Sequence, residues 1–230
     1  MNAVTTAPPY GQVLRLDELL SAARVHDDDV DHVLFMATHQ SCEILFAVVT
    51  RHLEEVRAAL DAGDADLAVR RAAPLPRIMS VLTGHFDVLA TLTPAAFQDI
   101  RTALGDASGF QSAQWREIEF LCGLRDTRYL TTAGFTEQDR ARLLARLEER
   151  SVAAAYREFA GTCADRAAVE RVRLALLEFD ETTAVWRARH GALAERYLGT
   201  AAGTAGSEGA AYLWRAALRR ALPEVWTPLS

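Results

Sequence analysis

No stretch of this chain alternates apolar and polar residues over six or more positions, and its β-branched residues are scattered. A half-buried strand needs that alternation. Apolar residues recur instead at three- and four-residue spacings nearly everywhere. The expected fold is therefore all-α: one domain of long packed helices over residues 1–230, with an N-terminal arm and short helix in 1–25.

Residues 14–24 read as a short amphipathic helix. The acidic run Asp27, Asp28 and Asp29 suits a helix N-terminus, and a long helix is expected from about Val30 to Ala62. DAGDAD then turns the chain. A second long helix is expected over about 67–92, bent near Pro74 and Pro76. Thr93-Pro94 is a cap and first-turn pair for a helix over about 95–105. GDASG (105–109) is a loop, and 111–123 forms the next helix. Thr136 and Asp139 open a segment reaching about Phe159, with breaks. Residues 165–198 read as one very long helix, and GTAAGTAGSEG is a loop before a last helix at 208–221.

Composition narrows the function classes. The balance of 25 basic and 31 acidic residues gives −6, which argues against nucleic acid, since phosphate binding needs a basic surface. Every basic residue is arginine, so Schiff-base chemistry and a lysine-dependent phosphate loop are both excluded. Apolar stretches are interrupted by charges well short of ~18 residues, so no membrane span is expected. The N-terminus lacks a basic region followed by an apolar block, which leaves the cytoplasm as the default location. Cys42, Cys122 and Cys163 are far apart with no CxxC, which disfavours structural zinc or a disulfide framework; the first two read as buried small hydrophobes.

Among six histidines none forms HExxH or the Glu-x-x-His pairs of a di-iron bundle. Two stand out by context. His39, in LFMATHQ, follows Phe35 by one helical turn, so both leave one face of an apolar helix. His190, in VWRARHGALAERYL, follows Trp186 by one turn. Periodicity alone reads both as histidines packed at helix interfaces. The glycine-rich loop at 199–209 follows no strand and holds no lysine, so it is neither a P-loop nor a dinucleotide fingerprint; a hinge or lid fits better. No GxSxG elbow is present.

Five stretches together resemble the tryptophan 2,3-dioxygenase family, in the family's order. They are PYGQVLRLDELL (9–20), HVLFMATHQSCEILF (32–46), LTPAAFQDIR (92–101), ASGFQSAQWREIEFLCG (107–123) and VWRARHGALAERYLGTAAGTAGSEGAAYL (185–213). The resemblance spans nearly the whole chain except about 125–175.

It implies an all-helical subunit binding one haem b, assembled as a homo-oligomer (dimer or tetramer), acting on an aromatic amino acid with O₂. His190 would be the axial iron ligand, a neutral imidazole leaving the opposite position open for O₂. His39 would be the distal histidine near the indole N–H, with Phe35 packing on the substrate ring. Arg101 would clamp the amino-acid carboxylate, a role suited to a bidentate guanidinium. Phe97 and Leu104 would line the same pocket, with Ser108 and Gly109 behind them against substrate and cofactor. Thr204 would contact the substrate's ammonium or carboxylate, and Tyr10 would reach over from a neighbouring subunit. His26, His32, His52 and His85 are left as surface or structural residues.

Departures from the family pattern bear on specificity. Val13 stands where a second N-terminal aromatic is usual, and Ala205 replaces a glycine of the loop. ELW reads Glu43-Ile44-Leu45, and the segment after Gly123 is short. Dioxygenation of the indole C2–C3 bond to an N-formylkynurenine-type product is the leading expectation. The alternative is a monooxygenase of natural-product biosynthesis, making a 2-oxindole from a β-substituted tryptophan or hydroxylating another aromatic amino acid. A non-catalytic haem sensor is a third reading, which Arg101, Thr204 and His39 together count against.

Overall fold

The computed structural model describes residues 8–24, 29–131, 133–203 and 208–228, and in these every regular element is helical. The arm folds as α1 (Tyr10–Val13) and α2 (Leu16–Ala23). Next come α3 (Val30–Asp61), α4 (Ala65–Ala72), α5 (Leu75–Leu89), α6 (Pro94–Leu104) and α7 (Ala113–Cys122). The chain closes with α8 (Glu137–Glu148), α9 (Val152–Thr162), α10 (Arg166–Leu198) and α11 (Ala210–Ala217). Short 3₁₀ turns cover Gly109–Gln111, Thr127–Thr131 and Pro223–Trp226.

Local chemistry starts the helices where the sequence places the signals. Asp29 accepts from the amides of Asp31 and His32 at the head of α3, while Asp27 and Asp28 lie outside the described residues. Thr93 accepts from Ala96 with Pro94 in the first turn, and Thr136 and Asp139 form a reciprocal capping box. Three boundaries differ from expectation. The long helix expected over 67–92 is two, α4 and α5, because Pro74 offers no N–H to continue the first and opens the second. The break expected within 136–159 separates α8 from α9 at Ser151, which caps α9 by accepting from the Ala154 amide. α7 starts at Ala113 because Ser112 is extended, and the last helix stops at Ala217.

α3 and α10 are the two long axes. α10 packs against α4, α5 and α11, and α3 packs against α4, α5, α7 and α9. Val49, Leu53 and Val56 of α3 are fully buried with Leu75, Met79 and Leu82 of α5 and with Val172, Leu176 and Phe179 of α10. A smaller cluster of Ala113, Phe120, Phe135 and Leu143 joins α7 to α8. Cys122 is buried, as expected, whereas Cys42 is half-buried; all three cysteines are free.

The two halves of α3 do different work. Its C-terminal half fills the core, and its N-terminal half turns Phe35, His39, Cys42 and Glu43 into a cavity. Among the described residues α3 is the one helix long and apolar enough to cross a membrane, with mean hydropathy 1.4 over its best 18-residue window. Within the fold it packs against α2, α4, α5, α7 and α9.

Candidate active site

A cavity of about 680 Å³ opens between α3, α5, α6, α7, α10 and α11. This is within the usual range for small-molecule sites. Aromatic side chains make much of its wall. Trp186 lies 4.4 Å from Trp115 and 5.9 Å from Phe46, ring centre to ring centre.

His190 enters from the C-terminal half of α10. Its ring stacks on Phe86 at 5.0 Å with planes 16° apart, and Trp186 lies 5.8 Å away. Burial lowers its pKa to about 4, with a smaller push from nearby His39, so the imidazole is neutral at pH 7. Neither ring nitrogen has a hydrogen-bond partner among the described residues, and the ring borders the cavity. Gly191 keeps the next turn thin: a β-carbon there would sit 3.2 Å from the ring of Trp214 on α11.

His39 faces the same space from α3. Its Nδ1 lies 2.8 Å from the Phe35 carbonyl, which can only accept, so Nδ1 carries the proton. In the neutral ring Nε2 is then a bare acceptor. Burial lowers the pKa of His39 most strongly; the Phe35 bond and Glu43 act against it, and His85 adds to the lowering. Phe35 also lies against the His39 ring, 4.1 Å between centres.

α6 supplies the third wall. Phe97 stacks on Tyr197 of α10 at 4.5 Å, and one turn later Arg101 donates to the carbonyl of Ala202 at 2.9 Å. Leu104, Ser108 and Gly109 follow along the same rim. Ser108 and Gln111 form a capping box around the short turn there.

Eight of the residues singled out in the sequence thus meet in one cavity: Phe35, His39, Phe97, Arg101, Leu104, Ser108, Gly109 and His190. Tyr10 does not join them within one chain; its side chain is 74 % exposed on the arm. Thr204 lies outside the described residues.

The sequence reading missed other lining groups. His85, taken as surface or structural, borders the cavity, with Nε2 3.2 Å from Ser41 Oγ and Nδ1 3.5 Å from Cys42 Sγ. Burial lowers its pKa too, and burial raises the Cys42 thiol to about 12, which keeps it protonated and inert. Beneath the cavity Glu119 accepts from Arg116 at 2.5 Å and from Arg187 at 3.0 Å, all three being buried. Arg116 also lies over the Tyr129 ring, and Tyr129 and Tyr212 share a 2.7 Å hydrogen bond. Only the i, i+3 spacing of Arg116 and Glu119 hinted at this group.

Such a cavity has room for a flat apolar group, with the His190 imidazole turned toward it. Among the described residues no three His, Cys, Asp or Glu side chains gather as a protein-only metal site would require. A neutral imidazole without a hydrogen-bond partner among the described residues, in an aromatic pocket, suits an iron whose other ligands would come with a macrocycle. The donor set fits haem.

The model of the tryptophan 2,3-dioxygenase family matches residues 1–164. A tryptophan 2,3-dioxygenase of a Nocardioides species is 38% identical over 249 residues, covering 96% of this chain and 91% of that protein. That aligned stretch is longer than this chain, which accordingly lacks segments the relative has. The Caulobacter vibrioides tryptophan 2,3-dioxygenase is 32% identical over 95% of this chain and 96% of its own length. The Pseudomonas aeruginosa tryptophan 2,3-dioxygenase is 33% identical over 96% and 89%. These alignments carry the similarity past residue 164 and through α10, and with them the helices, the cavity and the paired histidines have one common account: the chain belongs to the tryptophan 2,3-dioxygenase family.

Proposed function

We propose that this chain binds haem b through His190 and uses O₂ to open the indole ring of L-tryptophan, giving N-formylkynurenine. The observation that carries the reading is the pair of neutral imidazoles, His190 and His39, facing one aromatic cavity in a chain of this family. When bound, the haem iron supplies O₂ activation and the oxidative chemistry.

The chain supplies orientation and polarity. His190 offers a lone pair at an imidazole that burial keeps unprotonated. His39, its Nδ1–H tied to the Phe35 carbonyl, presents Nε2 as acceptor for the indole N–H. Phe35 and Phe97 give the indole apolar contact and help exclude water. Arg101 takes the carboxylate in exchange for the Ala202 carbonyl, and Thr204 adds a hydroxyl near the amino-acid end. Ser108 and Gly109 close the rim beside the cofactor. Holding the reacting partners in one geometry is the main contribution asked of these residues.

Assembly belongs to the same reading. Tyr10, Val13, Leu14, Leu19 and Leu20 leave apolar surface exposed on the arm, and a neighbouring copy of the chain would cover it and bring Tyr10 over the cavity. The three free cysteines accord with a reducing, cytoplasmic setting. The relatives described above are dioxygenases by name, which favours insertion of two oxygen atoms over the 2-oxindole alternative.

Incubating the ferrous protein with O₂ and L-tryptophan, followed by product mass analysis, tests the proposal. A product heavier by two oxygen atoms is expected. A gain of one oxygen atom, or no turnover of tryptophan, would overturn it.

A further inference from the structure

α6 carries two of the proposed substrate contacts, Phe97 and Arg101, yet Ile100 is the one fully buried residue among its 11. Ile100 in the core and Leu104 against it hold α6 only in part, since the rest of the helix buries little. Two side-chain relationships tie it down. Arg101 donates to the Ala202 carbonyl, and Phe97 stacks on Tyr197 with planes 18° apart.

Tyr197 stands seven residues after His190 on α10, two turns along the same face, and both border the cavity. Its hydroxyl lies 2.9 Å from the Leu89 carbonyl and 2.8 Å from the Leu92 carbonyl. Leu89 ends α5, and Leu92 precedes Thr93, the cap of α6. The single phenolic proton is shared between two carbonyls at the place where one helix ends and the next begins. One side chain therefore fixes where α6 starts, through its hydroxyl, and how its first turn meets the cavity, through its ring.

We propose that Tyr197 is a positioning residue that sets affinity for the substrate carboxylate by holding α6, and with it Arg101, against the helix bearing His190. The inference rests on the reading of Arg101 as the carboxylate clamp. Tyr197 itself touches no reacting atom. A purely structural tyrosine would affect all ligands alike, whereas a positioning one affects ligands that use Arg101.

Two variants separate the ring from the hydroxyl. Tyr197→Phe keeps the stack and removes the hydrogen bond; Tyr197→Leu removes both. Binding to the haem-loaded protein is measured for L-tryptophan and for tryptamine, which lacks the carboxylate. Tyr197→Phe is expected to raise the tryptophan Kd about two- to tenfold, the worth of one hydrogen bond, and to leave tryptamine unchanged. Tyr197→Leu should do more, and Tyr197→Phe should add nothing in an Arg101→Ala background. Amide hydrogen exchange should quicken in Pro94–Leu104 of Tyr197→Phe and stay constant in α3 and α7. Equal weakening of both ligands, full additivity with Arg101→Ala, or unchanged exchange in α6 would overturn the proposal. If the wild-type protein binds tryptophan and tryptamine equally, the clamp reading fails, and the exchange measurement still decides whether Tyr197 holds α6.

Discussion

The ring of His190 lies flat on Phe86, the two centres 5.0 Å apart. α10 supplies the imidazole and α5 the surface that sets its rotation, so the orientation of the His190 ring nitrogens is a property of helix packing. An aromatic pair of this kind contributes about 0.5–1.5 kcal/mol beyond burial. His190→Ala should abolish the Soret band of tightly bound haem. Phe86→Leu should keep the band and raise the haem dissociation constant roughly two- to tenfold. Haem transfer to an apo-acceptor protein measures both; a native spectrum in His190→Ala would remove the ligand assignment.

His39→Ala should retain haem and lose rate. Removing one acceptor for the indole N–H is expected to lower kcat/KM by about 1–2 kcal/mol, near tenfold. The same variant should be insensitive to N-methylation of the substrate, which the wild-type protein should discriminate against. Steady-state kinetics with the two substrates tests this, and loss of haem on His39→Ala would exchange the roles assigned to the two histidines.

Arg101 is half-buried and already hydrogen-bonded to Ala202, so its contribution lies toward the lower end of the ~2–5 kcal/mol seen when one partner of a charge pair is removed. Arg101→Ala should raise the tryptophan Kd by about 1.5–2 orders of magnitude and leave tryptamine nearly unaffected. Isothermal titration compares the two; an unchanged tryptophan Kd would place the carboxylate elsewhere.

Glu119 neutralises two buried guanidinium groups at once. Glu119→Gln leaves Arg116 and Arg187 without their shared carboxylate, and stability should fall by about 3–5 kcal/mol. Urea unfolding at neutral pH reads this directly, and a loss below about 1 kcal/mol would show that the other polar neighbours suffice.

Acid should weaken the haem-free fold through the same two histidines. His190 has a folded pKa near 4 against an ordinary value of 6.5, so between those limits the unfolded chain binds more protons. Stability is full above pH 6.5 and declines as pH falls toward 4, by on the order of 3 kcal/mol for His190. His39, also lowered, adds a loss of the same sign. In haem-free His190→Leu the decline should be shallower. Urea midpoints across pH 7 to 4 check the slope.

The fold was legible because its signals are local. Asp29, Thr93 and Thr136 cap their helices by side chains that act within one turn, and the 165–198 periodicity survives intact as α10. The breaks at Pro74 and Ser151 were harder to read, since helix-like periodicity continues on both sides of each. In the site, Phe35 with His39 and Phe97 with Arg101 could be paired by spacing. His85 could not, because its place at the cavity depends on how α5 lies against Ser41 and Cys42 of α3. Tyr197 carries no local signal for the same reason: its two acceptors lie more than a hundred residues away in sequence.

The bond from Arg101 to Ala202 has a consequence for how an empty pocket behaves. Without a carboxylate the guanidinium already has an acceptor, so vacancy leaves no stranded charge. On the proposed reading of Arg101, a substrate carboxylate would displace a neutral carbonyl, and the net gain would be the difference between the two. The same competition would sharpen discrimination, since an uncharged ligand would gain little by replacing the backbone carbonyl.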